Sequence, residues 1–210
     1  MYRDARCPAK EVRHGWGQLP AGRVRRARAR PGSSVWRRAA PRTGHTGAVR
    51  LYLPATLDEL DDLIRGDAPL AAPRRAHAVT PALTALLPDE DEEGVEFAAQ
   101  LMAADDALVL LAARPDAPGL RLVVTVEVAD SAVRDGAPDD ADGGVDDEAA
   151  SLVTLAEPVV LDDVVCVHVD EPAAKDEVAR ALDGDDAALD SLAERDLLWY
   201  DATELTGIPR

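Results

Sequence analysis

The sequence predicts a single domain of the α/β (α+β) class, in which a mixed β-sheet of about five strands is flanked by helices. Three observations support this prediction. Short segments alternate apolar and polar residues at a period of two, as strands with one buried face do. Other segments repeat apolar residues at helical spacing, and the two kinds of segment are interleaved along the chain from Val49 onward.

The first strand is predicted at residues 49–53. Val49, Leu51 and Leu53 alternate with Arg50 and Tyr52, so one face of the segment is apolar and the other is polar or amphipathic. We therefore expect a strand that packs on a core through its odd-numbered residues.

The first helix follows directly. Pro54 has no amide hydrogen for a β-ladder, so we expect the strand to end there. Thr56 precedes Glu59 by three residues, the spacing at which the two side chains can each accept the other residue's amide hydrogen. A cation at Arg65 and a stop at Gly66 predict the helix end.

A second strand is predicted at residues 76–80. The order strand, helix, strand favours a right-handed crossover, which would make the first two strands parallel. Thr80 is then placed as a helix N-cap, with Pro81 at the first helical position. This pattern predicts a short helix that ends near Leu87.

A long helix is predicted from about Asp91 to Arg114, closed by Pro115. Its expected buried stripe consists of Phe97, Leu101, Ala104, Leu108 and Leu111, widened by Met102 and Val109.

The remaining segments complete the predicted domain. The clearest strand alternates over residues 120–128, and an Asp-rich segment at about 135–150 is expected to be a disordered loop. Further elements are expected as follows: strands at 151–155 and 164–169, helices at 172–182 and 187–194, and an extended or partly helical tail that begins at 197–200.

Charge divides the chain at residue 49. Residues 1–48 contain eleven arginines and one lysine against Asp4 and Glu11, a net charge of +10. Residues 49–210 contain 11 basic and 38 acidic residues, a net charge of −27. The net charge of −17 for the whole chain therefore averages two unlike segments.

Residues 1–48 are interpreted as a basic disordered leader, and we expect it to be upstream sequence added by a misassigned start. The signals of folded structure begin abruptly at Val49, a residue whose codon GTG can initiate translation in bacteria. Two alternatives stay open: an arm that binds nucleic acid through its arginines, and a transit peptide. The leader has no apolar run, which argues against a secretory signal.

The composition also indicates a compartment. Cys7 and Cys166 are the only cysteines, so there is no disulfide framework, and this fits a reducing cytoplasm. The sequence has no apolar run of 18 residues, so we expect no membrane span and no membrane partner.

Histidine and carboxylate positions are the candidates for chemistry. His77 and His168 are the only histidines after residue 48. On a strand, Val164, Cys166, His168 and Asp170 would share one face, which permits a row of metal-ligating or catalytic groups. The sequence has no paired-ligand zinc motif, and the acidic loop fits no calcium-binding register, so we predict no metal and no cofactor.

Trp199 and Tyr200 are adjacent in a chain that is only 3% aromatic. Adjacent aromatic residues can mark a surface for a ligand or partner, but packing of the C-terminal tail on the core is the preferred interpretation.

Four short segments carry a resemblance to a known family. They are VRLYLPAT at 49–56, AHAVTP at 76–81, VHVD at 167–170 and LLWY at 197–200. Together they resemble a domain of unknown function found in uncharacterised proteins of high-GC Gram-positive bacteria, over Val49 to about Glu204. Members of this family typically begin with Met at the position of Val49. The resemblance implies no activity, substrate or cofactor.

Three functions are compatible with the sequence. We favour a small, acidic cytoplasmic module for interaction or regulation, without catalysis and with a protein partner, because no catalytic motif occurs. The first alternative is a small-molecule-binding domain or enzyme. Its site would lie at the strand ends around Tyr52, His77 and Asp170, with Thr80 and His168 nearby. The second alternative is a nucleic-acid binder that acts through residues 1–48.

Overall fold

The computed structural model describes residues 47–136 and 150–209. Seven strands form one sheet in these residues, in the order β4-β5-β2-β1-β3-β6-β7, and every neighbouring pair is antiparallel. The strands are β1 Ala48–Ala55, β2 Arg74–His77, β3 Leu122–Ala129, β4 Val133–Asp135, β5 Leu152–Leu155, β6 Val164–Val169 and β7 Leu198–Asp201.

Five α-helices accompany the sheet in the described ranges. They are α1 Leu57–Arg65, α2 Pro81–Leu86, α3 Glu92–Ala113, α4 Lys175–Leu182 and α5 Asp186–Ala193. Combined strands and helices confirm the predicted α+β class, and the sheet has two strands more than the five expected. The predicted mixed sheet is wrong, because all of its described strand pairs are antiparallel. None of the described helices is long and apolar enough to cross a membrane.

The predicted parallel pairing of β1 and β2 is wrong. The two strands are antiparallel, with Tyr52 opposite His77. The connection after α1 brings the chain back to the end at which β1 stops, where the Arg74 guanidinium donates to the Pro54 carbonyl at 2.6 Å. Because β2 starts beside the end of β1, it must run back along β1, and no crossover forms.

The predicted end of β1 at Pro54 is also wrong, because the strand continues to Ala55 and pairs with β3 along its whole length. The N–H and C=O positions of one strand residue point to the same side. Since the Pro54 carbonyl accepts from Arg74, the missing amide hydrogen faces β2. The ladder to β3 therefore loses no hydrogen bond.

The two faces of the central strands are both covered. Leu51 and Leu53 are fully buried against the leucines of α1, whereas Tyr52 and Val123 pack under α3 on the opposite face. Strands covered on both faces lose the clean alternation that a half-buried strand shows. This explains why β3 is buried at almost every position.

The predicted buried stripe of α3 is correct only in part. Ala104, Leu108 and Leu111 are buried, but Phe97, Leu101 and Val109 are exposed. The helix instead faces the sheet through small side chains: Val95, Ala99, Ala103 and Ala107. Apolar residues occur on all sides of α3, so the side that allows the closest approach to the sheet is the one that packs.

The sheet ends in two edge strands, β4 and β7. β4 is a three-residue strand that the sequence does not predict, whereas the tail at 197–200 is extended and forms β7. Most of the Asp-rich loop, residues 137–149, and residues 1–46 of the leader lie outside the described residues.

Candidate functional site

A groove of about 660 Å³ lies between the first half of α3 and the sheet face formed by β1, β3, β6 and β7. Its floor follows from strand register. Tyr52 is opposite Thr125, Thr125 is opposite Cys166, and Cys166 is opposite Asp201. These four side chains form one row across four strands, and all four line the groove.

A β-bulge in β6 sets which side chains reach this groove. Cys166 pairs with Thr125 but Val164 pairs with Val126, so Val165 is an extra residue. Val164 therefore packs in the core on the opposite side from Cys166, and the prediction that these two share a face is wrong. His168 and Cys166 share a face, as predicted, and it is the face that lines the groove.

Two polar atoms at the groove have no hydrogen-bond partner in the described part of the chain. They are Thr125 Oγ1 and His168 Nδ1, and both atoms are buried. The Thr125 residue is only 3% exposed. Leaving such a group unpaired costs about 1–3 kcal/mol. Both atoms border the groove but are closed to solvent, so a ligand in the groove pairs with them only when the side chains above them move.

The charged groups around the groove are mainly acidic. Four carboxylates line it, against a single guanidinium from Arg50, which gives a net charge of −3 with His168 neutral. Arg50 is held by Glu127 at 3.0 Å and Glu96 at 3.3 Å. The carboxylates belong to Asp91, Glu93, Glu96 and Asp201.

Aromatic side chains line both the floor and the rim. Trp199 is 56% exposed and Phe97 is 51% exposed, whereas Tyr52 is buried beneath them. Burial, and then the negative charge of Glu96, raise the pKa of Tyr52 above its ordinary value. The Tyr52 phenol therefore stays neutral at physiological pH.

The structure brings three of the seven predicted site residues together. Tyr52, His168 and Trp199 all line the groove. Thr80 instead caps α2, since its hydroxyl accepts from the Leu83 amide at 3.1 Å. Tyr200 is directed to the opposite face of β7 and packs against the main core. The remaining two, His77 and Asp170, belong to two separate buried networks.

His77 lies at the centre of a hydrogen-bonded cluster whose arrangement resembles a catalytic triad of nucleophile, base and acid. Its Nδ1 is 2.7 Å from Ser151 Oγ, and its Nε2 is 2.9 Å from Asp106 Oδ2. Arg75 Nε lies 2.6 Å from the same carboxylate oxygen. Ser151 is fully buried and contacts Met102, so its hydroxyl is closed to a substrate. The cluster therefore acts as a support inside the fold.

Asp170 is buried in a salt bridge with Arg121. Its Oδ1 accepts from Arg121 Nη2 at 2.8 Å, and its Oδ2 accepts from the Arg121 backbone amide at 2.8 Å. Both side chains are almost fully buried. The predicted convergence of Tyr52, His77 and Asp170 on one site is therefore absent from the described residues.

Sequence reasoning missed several groove residues: Arg50, Glu93, Glu96, Phe97, Thr125 and Asp201. One of them carries a usable signal. Thr125 is the only hydroxyl residue in β3, which is otherwise a run of apolar residues apart from Glu127. A polar side chain in a strand buried on both faces must be either paired or functional. The described residues contain no group of three side chains placed to hold a metal ion.

His168 supports a prediction about pH. Burial lowers the pKa of His168 below its ordinary value of 6.5. The unfolded chain then binds a proton near pH 6.5 that the folded chain binds only at lower pH, so acidification favours unfolding. We expect the free energy of unfolding to fall between about pH 7.5 and about pH 5.5 by more than it does in His168→Asn. Urea titrations of both proteins measure this, and equal pH dependence would contradict it.

Comparison with known proteins places the chain in a family. The model of the family of unknown function DUF6912 matches residues 49–208, which is most of the sequence. The chain belongs to this family. The match confirms the resemblance to a domain of unknown function and covers the described strands and helices except for Ala48, the first residue of β1. No curated protein and no solved structure matches the chain.

Proposed function

We propose that this DUF6912 chain is a small cytoplasmic binding module without catalysis, whose groove holds a basic side chain of a protein partner. The observation that carries the proposal is the pair of unpaired polar atoms, on Thr125 and His168, under a groove of net charge −3. A guanidinium or ammonium donates hydrogen bonds and carries positive charge, so it supplies what the groove lacks.

The aromatic side chains at the rim of the groove also favour a bound cation. Trp199 and Phe97 both expose ring surface at the groove, and a cation over an aromatic face gains about 0.5–2 kcal/mol. Thr125 Oγ1 lies deeper, and it accepts from the cation once the side chains that close it from the groove move aside. His168, kept neutral by its lowered pKa, adds no repelling charge at neutral pH.

We propose no catalysis because the two buried networks, around His77 and around Asp170, leave no group open to a substrate. Ser151 is sealed beside His77, and both oxygens of Asp170 are occupied by Arg121. The groove itself contains His168 and Cys166, but the described carboxylate nearest to them in register, Asp201, is bonded to Thr203. In the described residues His168 Nδ1 has no hydrogen-bond partner, which supports a groove that binds and does not react.

Calorimetric titration with a blocked peptide, Ac-Thr-Val-Arg-Val-Thr-NH₂, tests the proposal. We expect it to bind, and we expect the same peptide with glutamate at the centre not to bind. Trp199→Ala should weaken the affinity by about 2–30-fold, the loss of one cation–π contact. Thr125→Val should also weaken binding, while it raises the free energy of unfolding by about 1–3 kcal/mol because an unpaired hydroxyl is removed.

Leu182→Ala is the matched control, since Leu182 is an exposed apolar residue of α4 that does not line the groove. It should leave the affinity unchanged. Equal binding of the arginine and glutamate peptides, or binding by neither, would overturn the proposed function.

A further inference from the structure

The last strand, β7, is a free edge of the sheet. It is the final strand in the order, paired with β6 on one side, and the described residues place no strand on the other side. Natural proteins protect such edges with proline, lysine or a bulge. Leu198–Asp201 contains no proline, lysine or bulge, and only its short length and the charge of Asp201 protect it.

Backbone direction shows which groups of β7 are available. The Ala202 amide donates to the Val165 carbonyl of the β6 side, so even-numbered residues of β7 face β6 and odd-numbered residues face outward. Asp201 is already occupied, because Glu204 donates its amide to the Asp201 carbonyl and accepts from the Asp201 amide. The amide and carbonyl of Trp199 point outward, and no hydrogen bond to either is made within the described residues.

We propose that the partner segment adds to β7 as an eighth, antiparallel strand, with its basic side chain directed into the groove. This inference rests on the proposed function and gives it a binding mode. Residues opposite each other on neighbouring strands share a face. A residue opposite Trp199 therefore presents its side chain on the groove side, while its own amide and carbonyl bond to Trp199.

The negative charge of the groove indicates which kind of segment can add to β7. The groove side of β7 meets the four carboxylates, so a lysine or arginine fits opposite Trp199. On the other face, Leu198 is exposed and can pack against an apolar neighbour in the added strand. The expected segment is thus short, extended and alternating, with a basic residue flanked by apolar ones.

A second copy of this chain is a poor occupant of the same edge. Residues 49–210 carry a net charge of −27, and pairing β7 with β7 would bring two acidic grooves together. Like charges held close together oppose association. A basic segment of a different protein has no such penalty.

The test removes one backbone hydrogen bond at a time from the peptide Ac-Thr-Val-Arg-Val-Thr-NH₂. A methyl group on the arginine amide nitrogen keeps the charged side chain but blocks the bond to the Trp199 carbonyl. We expect this peptide to bind on the order of tenfold more weakly. A methyl group on the amide nitrogen of the second valine points away from β7 in the same pairing, and this control peptide should keep its affinity.

Hydrogen exchange of the full chain gives an independent readout. The Trp199 amide should exchange more slowly when the arginine peptide is bound, whereas the Tyr200 amide, already paired with β6, should not change. If the arginine peptide does not bind at all, the proposed function fails together with this inference. If it binds but tolerates the methylated arginine and leaves Trp199 unprotected, only strand addition is overturned.

Discussion

Replacing Asp170 with alanine is expected to destabilise the fold by about 3–5 kcal/mol, because it leaves the guanidinium of Arg121 buried without a counter-charge. Asp170 also holds the Arg121 backbone amide at the point where β3 begins, so the change exposes a second unpaired donor. The two residues join β3 to the end of β6, and the loss falls on the centre of the sheet.

Urea denaturation followed by circular dichroism measures this effect, and the control is Asp67→Ala. Asp67 forms an ion pair with Arg65 at 2.7 Å, but both side chains are more than half exposed. Exposed pairs contribute about 0–1 kcal/mol, so the control should stay close to the parent protein. Similar losses from Asp170→Ala and Asp67→Ala would show that burial of the Asp170 pair does not matter.

Replacing His77 with alanine is expected to destabilise the fold by about 2–4 kcal/mol. The ring bonds Ser151 and Asp106 in the interior, so its removal leaves a cavity and takes one hydrogen-bond partner from each of these two groups. Because the same cluster resembles a catalytic arrangement, this substitution also separates a structural role from a chemical one.

The matched variant is His168→Ala, which removes the other histidine of the described chain at a position where Nδ1 has no partner. It should cost less stability than His77→Ala, since no protein hydrogen bond to Nδ1 is lost. In contrast, it should weaken binding of the arginine peptide, which His77→Ala should not do in the fraction of molecules that remain folded. A stable His77→Ala protein would argue against the supporting role.

Local signals were enough to predict most of the helices. Thr56 and Glu59 define the start of α1, and the Thr56 amide indeed donates to the Glu59 carboxylate at 3.1 Å. Asp91 and Thr80 likewise cap α3 and α2 where the sequence indicated. These signals work because caps depend on residues within one helical turn.

Strand direction and the groove could not be predicted in the same way. The direction of β2 depends on where the connection after α1 returns, and a contact between Arg74 and Pro54 decides it. The row that joins Tyr52, Thr125, Cys166 and Asp201 depends on the registers of three strand pairs, which no single segment encodes. Trp199 was identified from composition, but its place beside His168 follows only from β6–β7 pairing.

The long sequence separation between the paired strands β1 and β3 has a consequence for synthesis on the ribosome. β1 ends at Ala55 and its partner β3 starts at Leu122, so 66 residues must be made between them. At roughly 5–20 residues per second, a completed β1 waits about 3–13 s before β3 begins to appear. Throughout that interval the edge of β1 that pairs with β3 stays open, even after β2 has been made and can cover the other edge. Any factor that shields short hydrophobic segments during translation is therefore expected to act on this protein first at β1.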